Sequence, residues 1–232
     1  INDNYKKDNH FFRIDSTYTN YRNITQTPRM DYSGTFGKHA LSAGLEANLE
    51  YLKHYMLKDS SDAKNHAYSL YLQEDLKMTD NLNVIAGVRS VYHEKYKWHV
   101  TPKISVLWKT TDNITIRGGY AQGFRSPSLK ELYQTYDMGG MGWFMLYGNP
   151  DLKPETSHQY SLSAEINKGG FNASASIAHN RFKNKIAYMA LNDGSNDMQY
   201  VNAENAKTTS FETIVRQQMN SNIILTGAYA YT

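Results

Sequence analysis

The residues best suited to bind a ligand lie in one short stretch near the middle of the chain. It carries three methionines and four aromatic side chains: Tyr136, Met138, Met141, Trp143, Phe144, Met145 and Tyr147. Aromatic rings stack on planar ligands and on aryl-bearing metal chelates. Thioether sulfur is an axial ligand of haem iron in some proteins, but methionine also fills irregular apolar space around any bulky ligand. The stretch is therefore predicted to bind a ligand, either by methionine ligation or by apolar contact, unless it packs on itself.

Two cations stand beside this stretch on its amino-terminal side. Arg125 and Lys130 would attract an anionic ligand. The alternative is that they belong to a charge network at the strand ends. We keep Arg125 as a candidate ligand-binding residue.

The chain holds no recognisable set of catalytic residues. Cysteine is absent, and none of the eight histidines forms a His-x-x-x-His metal spacing. Glu131 and Glu155 are not a paired-carboxylate site by spacing, and no nucleophile elbow surrounds a serine. We therefore expect no enzyme, no intrinsic cofactor and no certain metal site.

Charge and hydropathy exclude two further classes of protein. Lys plus Arg number 25 against 22 for Asp plus Glu, and the excess forms no basic run, so a nucleic-acid partner is not expected. Mean hydropathy is −0.65, and no stretch approaches the roughly eighteen apolar residues of a membrane helix. The 19 tyrosines suit a sheet whose amphipathic rings lie at an interface. A membrane β-barrel remains compatible with this composition.

Strict alternation of apolar and polar residues predicts the secondary structure. From Leu41 to Tyr51 eleven positions alternate, which a helix would not produce. Similar runs predict about eleven strands, near residues 10–20, 25–37, 41–51, 68–75, 82–89, 100–108, 114 into the 120s, 160–166, 171–177, 199–219 and 222–231.

Turn lengths indicate a wall with two different ends. Short turns at 79–81, 111–113, 168–170 and 220–222 alternate with long loops near 56–66, 124–156 and 186–199. The polar residues of the strands are too numerous for a dry core, whereas a barrel wall turns its apolar side to lipid and its polar side to a lumen. The fold class predicted is all-β, an antiparallel transmembrane β-barrel portion. A soluble all-β repeat protein is the alternative, but it would not need this asymmetry.

Two ordered motifs carry a resemblance to a known family. The string from Gly118 to Tyr133 (GGYAQGFRSPSLKELY), followed by Gly148 to Ser157 (GNPDLKPETS), closely resembles the TonB-dependent outer-membrane receptors. Further similarity lies at Tyr71 to Leu82 and at Tyr200 to Lys207. Within the motifs we expect these residues to be architectural: Phe124, Arg125, Ser126, Pro127, Asn149, Pro150, Asp151 and Leu152.

The resemblance implies a 22-stranded barrel closed by an amino-terminal plug domain, in the outer membrane of a Gram-negative bacterium. It also implies contact with outer-membrane lipid, energy supplied by a TonB complex through the plug, and import of a small-molecule metal chelate. The chain begins without methionine and ends on what reads as mid-strand, so we expect an internal piece. Residues 1–232 are then about half of the barrel, without the plug, and the long loop at about 124–156 is extracellular.

The resemblance leaves the ligand open. Haem receptors of this family resemble the chain in both motifs, but their haem-ligating histidine usually lies between them, and no histidine lies between Gly123 and Ser157. Haem is the leading ligand because of both motifs and the methionine- and aromatic-rich loop, and a ferric siderophore is nearly as well supported. A receptor for cobalamin or another nutrient, and a passive porin or adhesin barrel, are also compatible with the sequence.

Overall fold

The computed structural model describes residues 4–12, 18–54, 57, 62–138, 144–203 and 205–232. These residues form a large antiparallel sheet of twelve strands and a separate sheet of four short strands. In chain order the elements are β1 (Asn4–Phe12), β2 (Tyr18–Gln26), β3 (Arg29–Phe36), β4 (His39–Lys53), β5 (Asp62–Lys77), β6 (Leu82–His93), β7 (Lys97–Thr111), β8 (Ile114–Arg125), α1 (Leu129–Tyr133), β9 (Thr135–Asp137), β10 (Met145–Tyr147), β11 (Glu155–Lys168), β12 (Phe171–Lys183), β13 (Ile186–Ala190), β14 (Met198–Asn202), β15 (Ala206–Gln218) and β16 (Ile224–Tyr231).

β2 and β3 are two halves of one wall strand. Gln26 lies opposite Leu49 and Arg29 lies opposite Glu46, so both halves pair with β4 in the same register. Pro28 interrupts the ladder because it has no N–H, although its carbonyl still accepts a hydrogen bond from Ala47. Counted this way, the wall has eleven strands along the order β1-β2-β4-β5-β6-β7-β8-β11-β12-β15-β16. The predicted fold class and strand number are confirmed.

The apolar residues of the wall face outward. In β5, Leu70 and Leu72 are about half exposed, whereas Ser69 beside them is 8% exposed. Leu70 pairs with Leu45 and Leu72 pairs with Val88, so the apolar row continues across neighbouring strands. This is the inverse of a soluble protein and is expected of a wall that meets lipid.

The apolar face is bounded by aromatic side chains at two levels. At one end Tyr92 lies opposite Trp98, with their rings 5.2 Å apart, and at the other end Leu82 lies opposite Trp108. Tyr92 and Leu82 are ten residues apart in β6. At about 3.4 Å per residue and a tilt of about 45°, that separation spans about 24 Å of depth. Aromatic girdles of an outer-membrane barrel flank an apolar band of about this height.

The inner face of the wall is polar and internally paired. Arg29 contacts Asp31 at 2.7 Å, and Arg117 contacts Glu165 at 2.9 Å. Arg89 bridges to Glu46. Ion pairs of this kind, within one strand for Arg29 and between strands for Arg89 and Arg117, compensate the charges on the lumen side.

Two features of the strands differ from the sequence prediction. The run predicted at 10–20 falls on parts of β1 and β2, and its middle lies outside the described residues. The run predicted at 199–219 is divided: β14 ends at Asn202 and belongs to the small sheet, whereas β15 begins at Ala206 in the wall. Alternation continues across the break, so periodicity alone did not reveal the change of sheet.

The short turns lie together at one end of the wall. Between β11 and β12, Gly169 and Gly170 have φ values of 54° and 81°. This left-handed conformation favours glycine, and it closes a tight hairpin.

Within the described ranges, the structure contains no helix with the length and apolar character of a membrane span.

Candidate functional site

The candidate site is built from two excursions that leave the same end of the wall. One runs from 126 to 154 and the other from 184 to 205. Their short strands form a single sheet in the order β13-β14-β10-β9, with Leu146 of β10 beside Met198 of β14. The loop predicted near 186–199 therefore begins in β13 and ends in β14, and β14 pairs with β10 of the first excursion.

The first excursion opens with one turn of capped helix. The Ser128 hydroxyl accepts from the Glu131 backbone N–H, and the Glu131 carboxylate accepts from the Ser128 backbone N–H at 2.7 Å. This capping box fixes the start of α1. Pro127, Leu129 and Leu132 are buried beneath it. The end of the first motif thus anchors the excursion to the wall.

Arg125 lies at the junction of both excursions. Its guanidinium donates to Glu155 at 2.7 Å and to both oxygens of Glu131 at 3.0–3.2 Å. Glu155 also accepts from the backbone N–H of Ile186 at the start of β13. One arginine therefore connects β8, α1, β11 and β13. This geometry favours the charge network over the alternative of a ligand contact.

The second motif brings the first excursion back to the wall. The Asn149 side chain donates to the Tyr200 carbonyl at 3.0 Å and accepts from the Asp151 N–H at 2.9 Å. Leu152 is 2% exposed and packs with Leu132 and Ile186. These contacts support the architectural role expected for Asn149, Pro150, Asp151 and Leu152.

The turn between β6 and β7 donates hydrogen bonds to the second motif from the side of the wall. Lys95 donates from its Nζ to the Pro150 carbonyl, and the Tyr96 hydroxyl donates to the Leu152 carbonyl at 2.9 Å. Burial, with smaller contributions from Tyr133 and Glu131, raises the pKa of Tyr96 to about 12. Its hydroxyl therefore remains a donor throughout the physiological pH range.

The predicted ligand-binding residues fall on opposite faces of the small sheet. Tyr136 lies opposite Leu146, and the N–H of Met138 donates to the Phe144 carbonyl, which puts Tyr136, Met138 and Phe144 on one face. Met145 and Tyr147 flank Leu146 in the same strand, so they lie on the other face of the small sheet. Two further predicted residues, Met141 and Trp143, lie outside the described residues.

Met145 and Tyr147, on the other face, form hydrogen bonds that connect the two excursions. Asp197 of the second excursion accepts from the Met145 N–H at 2.9 Å and from the Tyr147 hydroxyl at 3.2 Å. Burial, and then the nearby Asp197 carboxylate, raises the pKa of Tyr147. The Tyr147 hydroxyl is thus already engaged within the protein.

The opposite face gains two tyrosines that sequence reasoning missed. Tyr188 of β13 lies opposite Tyr200 of β14, with ring centroids 6.3 Å apart in an edge-on arrangement. We define the aromatic face as Tyr136, Met138, Phe144, Tyr188 and Tyr200. Tyr136, Met138 and Tyr188 are exposed on it. The strands of Tyr188 and Tyr200, IAYMA and MQYVN, are only five residues long, and neither sequence indicates which sheet the strand joins.

The described residues contain no group of three histidines or carboxylates that could hold a metal ion. An exposed aromatic and thioether surface can instead contact a chelate that carries its own metal.

Comparison with known proteins agrees with the architecture. A family model described as TonB dependent receptor-like, beta-barrel, matches residues 2–232. The iron-regulated outer membrane virulence protein of Vibrio cholerae is 30% identical over 216 residues, covering 84% of this chain and 32% of that protein. The ferrienterobactin receptor of Escherichia coli is 25% identical over 182 residues, covering 73% of this chain and 24% of that receptor.

A solved structure shows the same fold. The crystal structure of the siderophore receptor PirA from Pseudomonas aeruginosa superposes with a TM-score of 0.79 at 20% identity. The match covers 92% of this chain and 43% of that one. The chain thus spans about a third or less of the length of the curated relatives named above.

Proposed function

This chain belongs to the TonB-dependent receptor family of outer-membrane β-barrels, and on that basis we propose that it is part of a receptor that imports a ferric siderophore. The observation that carries the proposal is the small sheet, which presents an aromatic face built from two excursions at one end of the wall. Two relatives, one named as an iron-regulated outer membrane virulence protein and one named as a ferrienterobactin receptor, support an iron-chelate ligand for this chain.

The orientation of the chain in the membrane is proposed from the difference between the short turns at one end of the wall and the long excursions at the other. We propose that residues 1–232 are one partial barrel domain and that the long loop at about 124–156 is extracellular. The second excursion then lies on the outside as well, and the short turns face the periplasm. Bacterial barrels have short periplasmic turns and longer extracellular loops, which supports this orientation.

A siderophore fits the described residues better than haem does. The aromatic face offers rings for stacking on aryl groups, and Met138 on this face is separated by the sheet from Met145 on the other. Those two methionines are therefore not placed to ligate one iron from both sides. The absence of histidine between Gly123 and Ser157 argues in the same direction.

In the proposed mechanism no covalent bond is made or broken. The aromatic face holds the chelate at the mouth of the barrel, and Arg125 with its two carboxylates keeps the excursions in position. Release into the lumen is driven by the TonB complex acting through a plug domain, as the family resemblance implies. Barrels of 22 strands are plugged transporters rather than open pores.

Uptake by cells that produce the complete receptor tests this function. We expect accumulation of radioactive iron from an aryl-bearing ferric siderophore, and we expect it to stop when either the receptor or TonB is deleted. Haem and cobalamin are offered in parallel as competing substrates. Uptake of haem alone would replace the ligand assignment, and uptake that persists without TonB would identify a passive barrel.

A matched pair of substitutions tests the aromatic face. Tyr188 and Met189 are neighbours in β13, each 57% exposed, on opposite faces of the small sheet. Tyr188→Ala is expected to weaken siderophore binding about tenfold because a stacked ring is lost, whereas Met189→Ala is expected to leave it nearly unchanged. Tryptophan fluorescence quenching by the ferric siderophore measures both. Equal losses would contradict binding at the aromatic face alone, and a larger loss for Met189→Ala would place the ligand on the other face.

A further inference from the structure

The outer surface of the wall carries a cluster of cations at the end where the excursions leave. Arg181, Lys183 and Lys207 are exposed, and His158 and His179 lie among them on the same face. In the ladder His158 is opposite Arg181, and Arg181 is opposite Lys207. We call these five residues the cationic patch.

The patch is continuous with the apolar band. Further along the same strands, Leu162, Ile177 and Phe211 form an exposed apolar row. Arg181 is four residues from Ile177 in β12, which is about 13 Å along the strand and about 9 Å in depth at a tilt of about 45°.

Aromatic rings lie between the apolar row and the cations. Tyr120 and Tyr160 pair across β8 and β11 with ring centroids 5.2 Å apart, and Tyr160 lies opposite His179. Apolar, aromatic and cationic residues therefore follow one another toward this end of the wall. That order matches the passage from acyl chains through the interface to lipid headgroups.

The cations of the patch differ from those of the lumen in their partners. On the inner face Arg29, Arg89, Arg117 and Arg125 each contact a carboxylate. Within the described part of the chain, no salt bridge includes Arg181, Lys183 or Lys207. Three positive charges are thus left for an external anion.

The two histidines of the patch form hydrogen bonds that hold neighbouring side chains in position. The His179 ring shares a hydrogen bond with Thr209 Oγ1 at 2.7 Å, and Arg181 Nε donates to its other ring nitrogen at 3.2 Å. His158 is held by the Tyr120 hydroxyl at 2.9 Å. The Arg181 guanidinium is therefore supported along the outer surface, where its remaining N–H groups can bind phosphate oxygens in a forked geometry.

We propose that the cationic patch binds the phosphate groups of anionic lipid headgroups in the outer leaflet. The inference goes beyond ligand import and rests on the proposed orientation of the barrel. A lipid phosphate is favoured over a free anion because the patch adjoins the apolar band, so one molecule can present phosphate to Arg181 and Lys207 and acyl chains to Ile177 and Phe211.

A lipid competition experiment with the complete receptor tests the proposal. The receptor in neutral detergent is titrated with a fluorescent bisphosphorylated lipid A, and unlabelled bisphosphorylated lipid A, its dephosphorylated form and inorganic phosphate compete. We expect only the bisphosphorylated lipid to compete well. Arg181→Gln with Lys207→Gln is expected to weaken binding about 25-fold, or about fivefold for each cation removed.

Lys168→Gln is the matched control. Lys168 is exposed at the opposite end of β11, so its replacement removes one positive charge from the periplasmic side of the wall and is compared with the fivefold loss expected for each patch cation. It is expected to leave lipid affinity unchanged, and all variants are expected to keep the siderophore affinity of the unmodified receptor. Equal competition by dephosphorylated lipid, competition by inorganic phosphate alone, or an equal loss with Lys168→Gln would each overturn the proposal. A siderophore that fails to bind would contradict the proposed function and would leave the lipid result readable by itself.

Discussion

Replacing Gly148 with alanine is expected to push the end of β10 away from the end of α1 within the first excursion and to abolish most siderophore binding. A Cβ at this position would lie 2.7 Å from the Tyr133 nitrogen, 2.8 Å from the Gln134 nitrogen and 2.8 Å from the Leu132 carbonyl carbon. All three are backbone atoms, so no side-chain rotation relieves the contact. Overpacking of this kind costs about 1–3 kcal/mol and sometimes more. Here it acts on the strand β10 that joins the two excursions.

Hydrogen exchange of β9 and β10 in the complete receptor measures this effect, together with siderophore affinity. Gly118→Ala is the matched control, because its Cβ would meet only a Leu162 methyl at 4.0 Å. The control is expected to retain native protection and affinity. Native protection in Gly148→Ala would show that the chain relaxes around the added methyl, and the close approach would then not be essential.

Removing the charge of Arg125 is expected to loosen both excursions at once. Arg125→Gln leaves Glu131 and Glu155, each 16% exposed, without their shared cation. Loss of one partner from a fully buried pair costs about 3–5 kcal/mol, but 45% of the Arg125 side chain is exposed, so we expect about 2 kcal/mol. Faster hydrogen exchange in α1 and β13 together is the predicted signature.

Arg117→Gln supplies a close control for this experiment. Arg117 lies on the same strand, is also 45% exposed and pairs across to β11 through Glu165, but it contacts neither excursion. It is expected to change the exchange of α1 and β13 little. The double variant Arg125→Gln with Glu155→Gln should recover part of the loss by removing one of the two facing charges.

The outcome also decides between the two roles considered for Arg125. Weaker siderophore binding with unchanged exchange in α1 and β13 would identify a direct ligand contact. Loss of protection that accompanies the loss of binding would identify a positioning residue, as the geometry of the two carboxylates favours.

The order of apolar and polar residues predicted the wall well, for a specific physical reason. A slip of one residue in a strand moves every side chain to the other face of the sheet. The strict alternation from Leu41 to Tyr51 therefore specifies one register, in which all the apolar residues of this run share one face. Gly169 and Gly170 marked a tight turn because both adopt positive φ. The motif at Asn149 to Leu152 was expected to shape the return of the loop, since proline and asparagine restrict or cap the backbone locally, and the contacts of Asn149 and Leu152 agree with that expectation.

The same reasoning did not extend to the excursions. β9 and β10 are three residues each, which is too short for alternation to register as a strand. β14 reads as the start of β15 because the pattern is continuous, and its transfer to the small sheet depends on pairing with β10 about fifty residues away. Contacts of that separation leave no local trace in one sequence.

By itself, then, the sequence determined an eleven-stranded lipid-facing wall, its short turns and its family, because those features follow from local periodicity and backbone chemistry. Only the tertiary structure decided how the loop residues are used. It put Tyr136 and Tyr147 on opposite faces, added Tyr188 and engaged Arg125 with two carboxylates. Each of these depends on strands that are distant in the chain and adjacent in space.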